Sequence, residues 1–430
     1  MRTRHRRTAR RWELAQHDET ELPAVRRECV CPSLDPRWPL RQGTEVSTPT
    51  DLGLPGALPE RDRLALRRWL LASIIAVFVA VAVGGITRLT ESGLSITEWK
   101  PVSGALPPSS DAAWALELEK FRQIPQASAT HAGITMTQFK WIYWWEWFHR
   151  NVARTVGLVF AIPYLVFLLQ RRIPRRLRVR LAALPFLTAG QGALGWYMVQ
   201  SGLVERITVS SYRLTAHLGL ALGILSVAVW TYSELRARTD SERGETVHTS
   251  QGWLTALRTA SVLLGITVLS GGFVAGLDGG KVFNEFPLMG GQVVPPGYGT
   301  LTPGWTNAFE NPAAAQFHHR LLAIGVTCLV LMLAWRAREA ALPQSVRRAL
   351  FAWGAVITAQ LVLGITTLLL AVPVPLGVLH QFTGVLALTA ALIATQRATA
   401  TASEALAGGQ TVQLQTGDGR NYSAQTGVVR

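Results

Sequence analysis

Four histidines in this sequence sit where their side chains could do chemistry. His149 lies in Glu146-Trp147-Phe148-His149-Arg150 and His319 in Gln316-Phe317-His318-His319-Arg320, each at the start of a long apolar run. His217, in Thr215-Ala216-His217-Leu218, and His380, in Leu379-His380-Gln381, stand at the start of the runs two further on. A single histidine at an apolar boundary can turn its ring to a polar surface and needs no function. Four at matched positions are harder to dismiss, because ionisable groups in apolar helices are costly and mark function. Two imidazoles on facing helices can clamp a haem iron from both sides. Zinc is the rival metal, but it takes about four clustered ligands, and neither pair brings enough companions. Two haem-sized sites are the better reading.

The neighbours of these histidines separate the two pairs. Glu146 lies one turn before His149, and the corresponding residue before His319 is Gln316. Only the first site thus has a carboxyl that could pass protons during chemistry; the plainer role is an interfacial pairing with Arg150. Arg150 and Arg320 each follow a histidine. Their guanidinium forks suit carboxylates such as haem propionates, or they simply snorkel to the interface. Arg154 continues the Glu146–Arg150 stripe at helical spacing. His318 points about 100° away from His319 around a helix, so it faces the loop or another helix. His131 and His248 fall in connecting loops, with surface roles.

The elements that must hold these residues are membrane helices. The chain has 430 residues, with apolar runs at about 69–88, 150–169, 181–200, 214–232, 257–277, 319–335, 348–371 and 377–395. Each is near the roughly 20 residues a helix needs to cross a bilayer. The expected fold is an all-α integral membrane protein of eight helices, arranged as two tandem four-helix bundles in contact with lipid. The net charge of +15 then reflects arginines beside the spans rather than nucleic-acid binding. Arg67 and Arg68, the cluster Arg171–Arg180, and the groups around Arg236 and Arg336 mark alternate junctions, which the positive-inside rule places in the cytoplasm. Both termini are then cytoplasmic. His149, His217, His319 and His380 all fall at the outer edge.

The halves repeat. Gly84-Gly85-Ile86-Thr87-Arg88-Leu89 ends the first run as Gly271-Gly272-Phe273-Val274-Ala275-Gly276 ends the fifth. Gln191-Gly192-Ala193-Leu194-Gly195 matches Gln360-Leu361-Val362-Leu363-Gly364. Such bundles build cofactor sites from facing helices. The expected division is an Arg-rich disordered tail at 1–64, a first bundle at 65–235, a cytoplasmic linker at 236–256, a second bundle at 257–397 and a disordered tail at 398–430. Cys29, Cys31 and Cys328 form no disulfide framework. Cys29 and Cys31 read as reduced thiols of the tail, with a metal pair as the lesser alternative.

These motifs resemble haem A synthases, membrane enzymes that convert haem O to haem A for cytochrome oxidases. The resemblance spans about 65–395. It rests most on Gly84–Ser95 and Glu146–Arg150, supported by Phe283-Asn284-Glu285-Phe286-Pro287-Leu288-Met289 and Gln316–Arg320. It implies oxidation of the C8 methyl of haem O to a formyl group. By the same resemblance His149 and His217 flank the substrate haem, Glu146 is the catalytic carboxylate, and His319 and His380 bind a resident haem b. It also implies an unidentified electron donor and haem O synthase as a candidate partner. Asp18, Glu19 and Glu21 in the tail weigh against a mitochondrial presequence, which favours a bacterial inner membrane over a mitochondrial one. Homo-oligomerisation is left open. Some branches carry a cysteine pair in the first outer loop; residues 89–148 contain none, which matches the cysteine-free proteobacterial and mitochondrial branch. The alternative function is a di-haem b-type electron carrier that does no porphyrin chemistry. A transporter fits less well, because the repeats run in the same direction.

Overall fold

The computed structural model describes residues 58–203, 206–241 and 247–415; Cys29, Cys31 and most of the N-terminal tail lie outside them. The described chain runs α1 (Glu60–Leu89), α2 (Asp111–Arg122), α3 (Pro125–Thr130), α4 (Met136–Leu169), α5 (Arg175–Leu203) and α6 (Ser211–Ser241). It continues through α7 (Gln251–Gly276), α8 (Asn307–Glu310), α9 (Pro312–Arg336), α10 (Gln344–Leu369) and α11 (Val374–Gln415).

Among the described residues seven helices are long and apolar enough to cross a membrane: α1, α4, α6, α7, α9, α10 and α11. This is a multi-span helical membrane protein. The expected eighth span, α5, is a helix of 29 residues, yet it is not one of the seven. Gly190, Gln191, Gly192 and Gly195 dilute its apolar character; of these, Gly195 lies against the His217 ring and Gln191 donates to the His217 carbonyl. Helix ends also depart from the expected boundaries. α1 begins inside the segment assigned to the first tail, and α6 and α7 extend into the expected linker. α11 runs to Gln415, well into the segment expected to be a disordered tail, because the alanine-rich stretch after Gln396 favours helix.

Neighbouring helices form two closed rings. In the first half α1 packs on α4 and α6, and α5 packs on α4 and α6. In the second, α7 packs on α9 and α11, and α10 packs on α9 and α11. α1, α6, α7 and α11 also pack across the halves. One apolar core therefore runs through both, from Leu66 and Trp69 to Ala398 and Ala402.

The seam is closed by small residues. A Cβ on Gly85 would lie 2.7 Å from Gln381 Oε1, and one on Gly272 would lie 3.0 Å from Thr215 Oγ1. Gln381 Nε2 donates to the Val81 carbonyl at 3.0 Å. Arg88 joins the ends of α1 and α7 by donating to Asp278 at 2.9 Å and to the Ala275 carbonyl at 2.6 Å.

The repeat extends to backbone detail. Both α1 and α7 end in a left-handed residue, Glu91 at φ 55° and Asp278 at φ 51°, followed by one turn of 3-10 helix. Each repeat then sends a long connection over the histidine end. The first, with α2 and α3, folds onto the projecting start of α4 around its own small core, including Trp114, Phe121, Phe139 and Tyr143. Thr135 starts α4 with a capping box to Gln138. In the second connection Asn311 caps α9, accepting from Ala313 and Ala314, while its amide reaches the Gly297 carbonyl at 2.6 Å.

Candidate functional site

His217, His319 and His380 sit about two turns into α6, α9 and α11. His149 is deeper along its helix, because the start of α4 projects into the first connection. All four lie near the same end of the bundle. The second pair faces each other: the ring centres of His319 and His380 are 6.4 Å apart. Two imidazole nitrogens each about 2 Å from one metal ion put their ring centres roughly 6 Å apart, so the spacing suits a shared iron. His149 and His217 lie on α4 and α6, both of which pack on α1 and α5.

One construction is used four times. The Cε1 edge of each imidazole lies against a glycine on a neighbouring helix. A Cβ on Gly84 would lie 3.1 Å from His149 Cε1, and one on Gly195 3.0 Å from His217 Cε1. One on Gly271 would lie 3.0 Å from His319 Cε1, and one on Gly364 2.8 Å from His380 Cε1. Any side chain there would enter the space the ring occupies. Small residues let membrane helices approach closely; here the close approach holds four imidazoles in place. The repeat motifs contained these glycines, but nothing in one sequence says which glycine faces which ring.

The carboxyl difference is physical. Glu146 is 4 % exposed and receives a hydrogen bond from Arg150 Nε at 2.6 Å. Burying a carboxylate demands such a partner. Gln316, also buried, gives its amide to the Phe283 carbonyl at 3.0 Å, while its Oε1 and Arg320 Nε are buried without a protein partner.

The two arginines do more than either expected role. Arg150 also donates to the carbonyls of Ile96 at 2.7 Å and Glu98 at 2.9 Å. Arg320 holds those of Phe283 and Glu285, both at 2.8 Å. Each therefore pins a long connection to the helix carrying its histidine. Arg154 adds to the first clasp through the carbonyls of Lys100 and Pro101.

His318 turns away from the pair and meets the Tyr298 hydroxyl at 2.8 Å. His131 lies 3.9 Å from Glu91, and His248 contacts the Thr401 carbonyl. Among the described residues no three His, Cys, Asp or Glu side chains gather as a metal cluster. That geometry offers nothing for the zinc alternative. It does fit a planar group gripped by two histidines.

Sequence comparison agrees with this architecture. The family model described as cytochrome oxidase assembly protein (COX15-CtaA) matches residues 67–392. The chain belongs to that family. A protein of Caulobacter sp. (strain K31) named heme A synthase is 46% identical over 315 residues, covering 73% of this chain and 90% of the relative. The heme A synthase of Parvibaculum lavamentivorans is 44% identical over 318 residues, 74% and 89% respectively. That of Nitrosomonas eutropha is 41% identical over 357 residues, 81% and 98%. The family match includes all four histidines, both arginines and Glu146, and excludes the two tails.

Proposed function

We propose that this protein is a haem A synthase, an oxidoreductase that converts the C8 methyl of haem O to a formyl group. The names of its relatives support this, and so does the chemistry of the histidine end. His149 and His217 hold the substrate haem O; His319 and His380 hold a resident haem b. When bound, that haem supplies one-electron redox chemistry.

The observation that carries the reading is the buried Glu146–Arg150 pair beside His149, whose second-half counterpart is a neutral Gln316. Converting a methyl group and one water molecule to a formyl group removes four electrons and releases four protons. A carboxylate one helical turn from His149 can accept protons and pass them on, a role worth about 10²–10⁴-fold in rate. Arg150 stays hydrogen-bonded to that carboxylate and holds the loop that shields it. Haem propionates would meet Arg150 and Arg320 through the N–H groups not already given to the loops.

In this reading α5 is the eighth span, each closed ring of four helices is one haem-binding unit, and both termini face the cytoplasm of a bacterial inner membrane. Haem O synthase is a candidate supplier of substrate, and a separate donor or acceptor handles electrons. The di-haem carrier has no support in the names of the relatives.

The deciding experiment supplies haem O to cells expressing wild type or Glu146→Gln, then extracts and chromatographs the haems. Wild type should accumulate haem A, while Glu146→Gln should keep its bound haem and lose haem A by about 10²-fold or more. Wild-type haem A in the variant removes Glu146 from the mechanism; none from either protein removes the assignment.

A further inference from the structure

The two histidine pairs share a plan but are tied down differently. His319 Nδ1 lies 2.8 Å from Ser270 Oγ and 3.1 Å from the Thr267 carbonyl oxygen. A carbonyl oxygen only accepts, so Nδ1 must carry the proton. Ser270 donates its own hydroxyl hydrogen to the Thr267 carbonyl at 2.7 Å, leaving a lone pair for the ring. Both contacts therefore select one tautomer, with a bare lone pair on Nε2. That is the form that binds a metal. His380 has a weaker tie: the Gln360 amide nitrogen is shared between its two ring nitrogens, 3.1 Å from Nδ1 and 3.4 Å from Nε2, and Gln360 Oε1 is buried without a protein partner. Turning that amide over lets Oε1 accept from Nδ1–H, which matches the tautomer of His319.

The first pair has no such ties. His149 Nδ1 and His217 Nδ1 are buried and meet no protein partner. The repeat supplies the reason. Val83 precedes Gly84 where Ser270 precedes Gly271, so no hydroxyl faces His149. Gln191, the counterpart of Gln360, spends its amide on the His217 carbonyl at 2.9 Å.

We propose that Ser270, together with the Thr267 carbonyl, is a positioning residue that locks His319 in its metal-binding form. The lock makes the second pair retain its haem, while the unlocked first pair lets its haem exchange. This rests on the reading of both pairs as haem ligands. The physical basis is preorganisation: a ring already fixed in its bound form loses less freedom on binding. Partners of metal-bound histidines typically contribute 10–100-fold in metal affinity. An enzyme that must release a product nearly identical to its substrate needs one loose site, and a resident electron carrier needs a tight one.

The test uses the purified full-length chain loaded with haem b. Wild type, Ser270→Ala, Ser270→Thr and His319→Ala are compared by transfer of haem to excess apo-globin and by redox titration. Ser270→Ala should speed the slow phase of haem loss by about 10–100-fold and raise the midpoint potential of that haem, because an imidazole left with only the longer Thr267 carbonyl contact is a poorer electron donor to iron. Ser270→Thr should restore both. Wild-type loss rate and potential in Ser270→Ala overturn the proposal. His319→Ala tests the underlying reading on its own: a slow phase that survives there means His319 is not a ligand, whatever Ser270 does.

Discussion

A single methyl group at Gly364 should remove one haem. In the structure a Cβ built there lies 2.8 Å from His380 Cε1, 3.3 Å from Nδ1 and 3.7 Å from Nε2. Carbon atoms rest at about 3.5–4.0 Å, so the ring must withdraw by roughly 0.7 Å at the least. Metal–ligand distances hold to about 0.2 Å, and the required shift is more than three times that. Withdrawal also carries the ring away from His319, whose centre is 6.4 Å distant. Spreading α10 from α11 instead costs about 1–3 kcal/mol of overpacking, or about 5–150-fold in affinity at 1.4 kcal/mol per factor of ten. Gly364→Ala should therefore lose most of the haem held by the second pair. Gly325→Ala on α9 and Gly223→Ala on α6 are the controls, since a Cβ at either meets nothing within 4 Å. Both should keep full haem and gain up to about 1 kcal/mol in helix propensity. The assay is haem per chain by alkaline pyridine spectrum, with the visible spectrum reporting low-spin coordination. A full haem complement and an unshifted spectrum in Gly364→Ala would refute the idea that the glycine makes room for the ring.

Two further outcomes test the connections above the site. Asn311→Ala removes the cap of α9 and the amide contact to the Gly297 carbonyl, and should lower stability by about 1–2 kcal/mol, seen as an earlier thermal transition. In the first connection, hydrogen bonds from Lys100 and then Lys120 hold the Glu98 carboxyl below its ordinary value of 4.5. A depressed folded value means this stabilisation is present above the unfolded value and is lost as pH falls through the folded one. Amide exchange in residues 98–122 should accelerate as the pH falls below the ordinary carboxyl value of 4.5, while α9 stays protected; uniform exchange across both would sink the idea.

Much of this molecule follows from the chain alone. Apolar runs long enough to span a bilayer can be satisfied only as helices, because lipid offers no hydrogen bonds to the backbone. The identities of His149, His217, His319 and His380, and the contrast between Glu146 and Gln316, are likewise properties of the sequence and its repeat. α5 shows where the reading weakened. Its glycines and Gln191 make it less apolar than its companions, and the packing against α6 explains two of them, Gly195 beside the His217 ring and Gln191 on the His217 carbonyl.

The site itself required the fold. Arg150 and Arg320 were legible as charges beside histidines, but their loop carbonyl partners lie tens of residues away and depend on how the long connections return. That Gly84, Gly195, Gly271 and Gly364 each face an imidazole is a matter of helix rotation and crossing, which periodicity along one helix cannot fix. Ser270 is the sharpest case: in the sequence it is a small residue in an apolar run, and in the structure it touches a buried ring. The run boundaries and the placing of arginines determined that four imidazoles would lie at one edge of a helical membrane protein. Three-dimensional packing decided which way each ring faces and which nitrogen carries its proton, because those depend on atoms brought within 3 Å by helices distant in sequence.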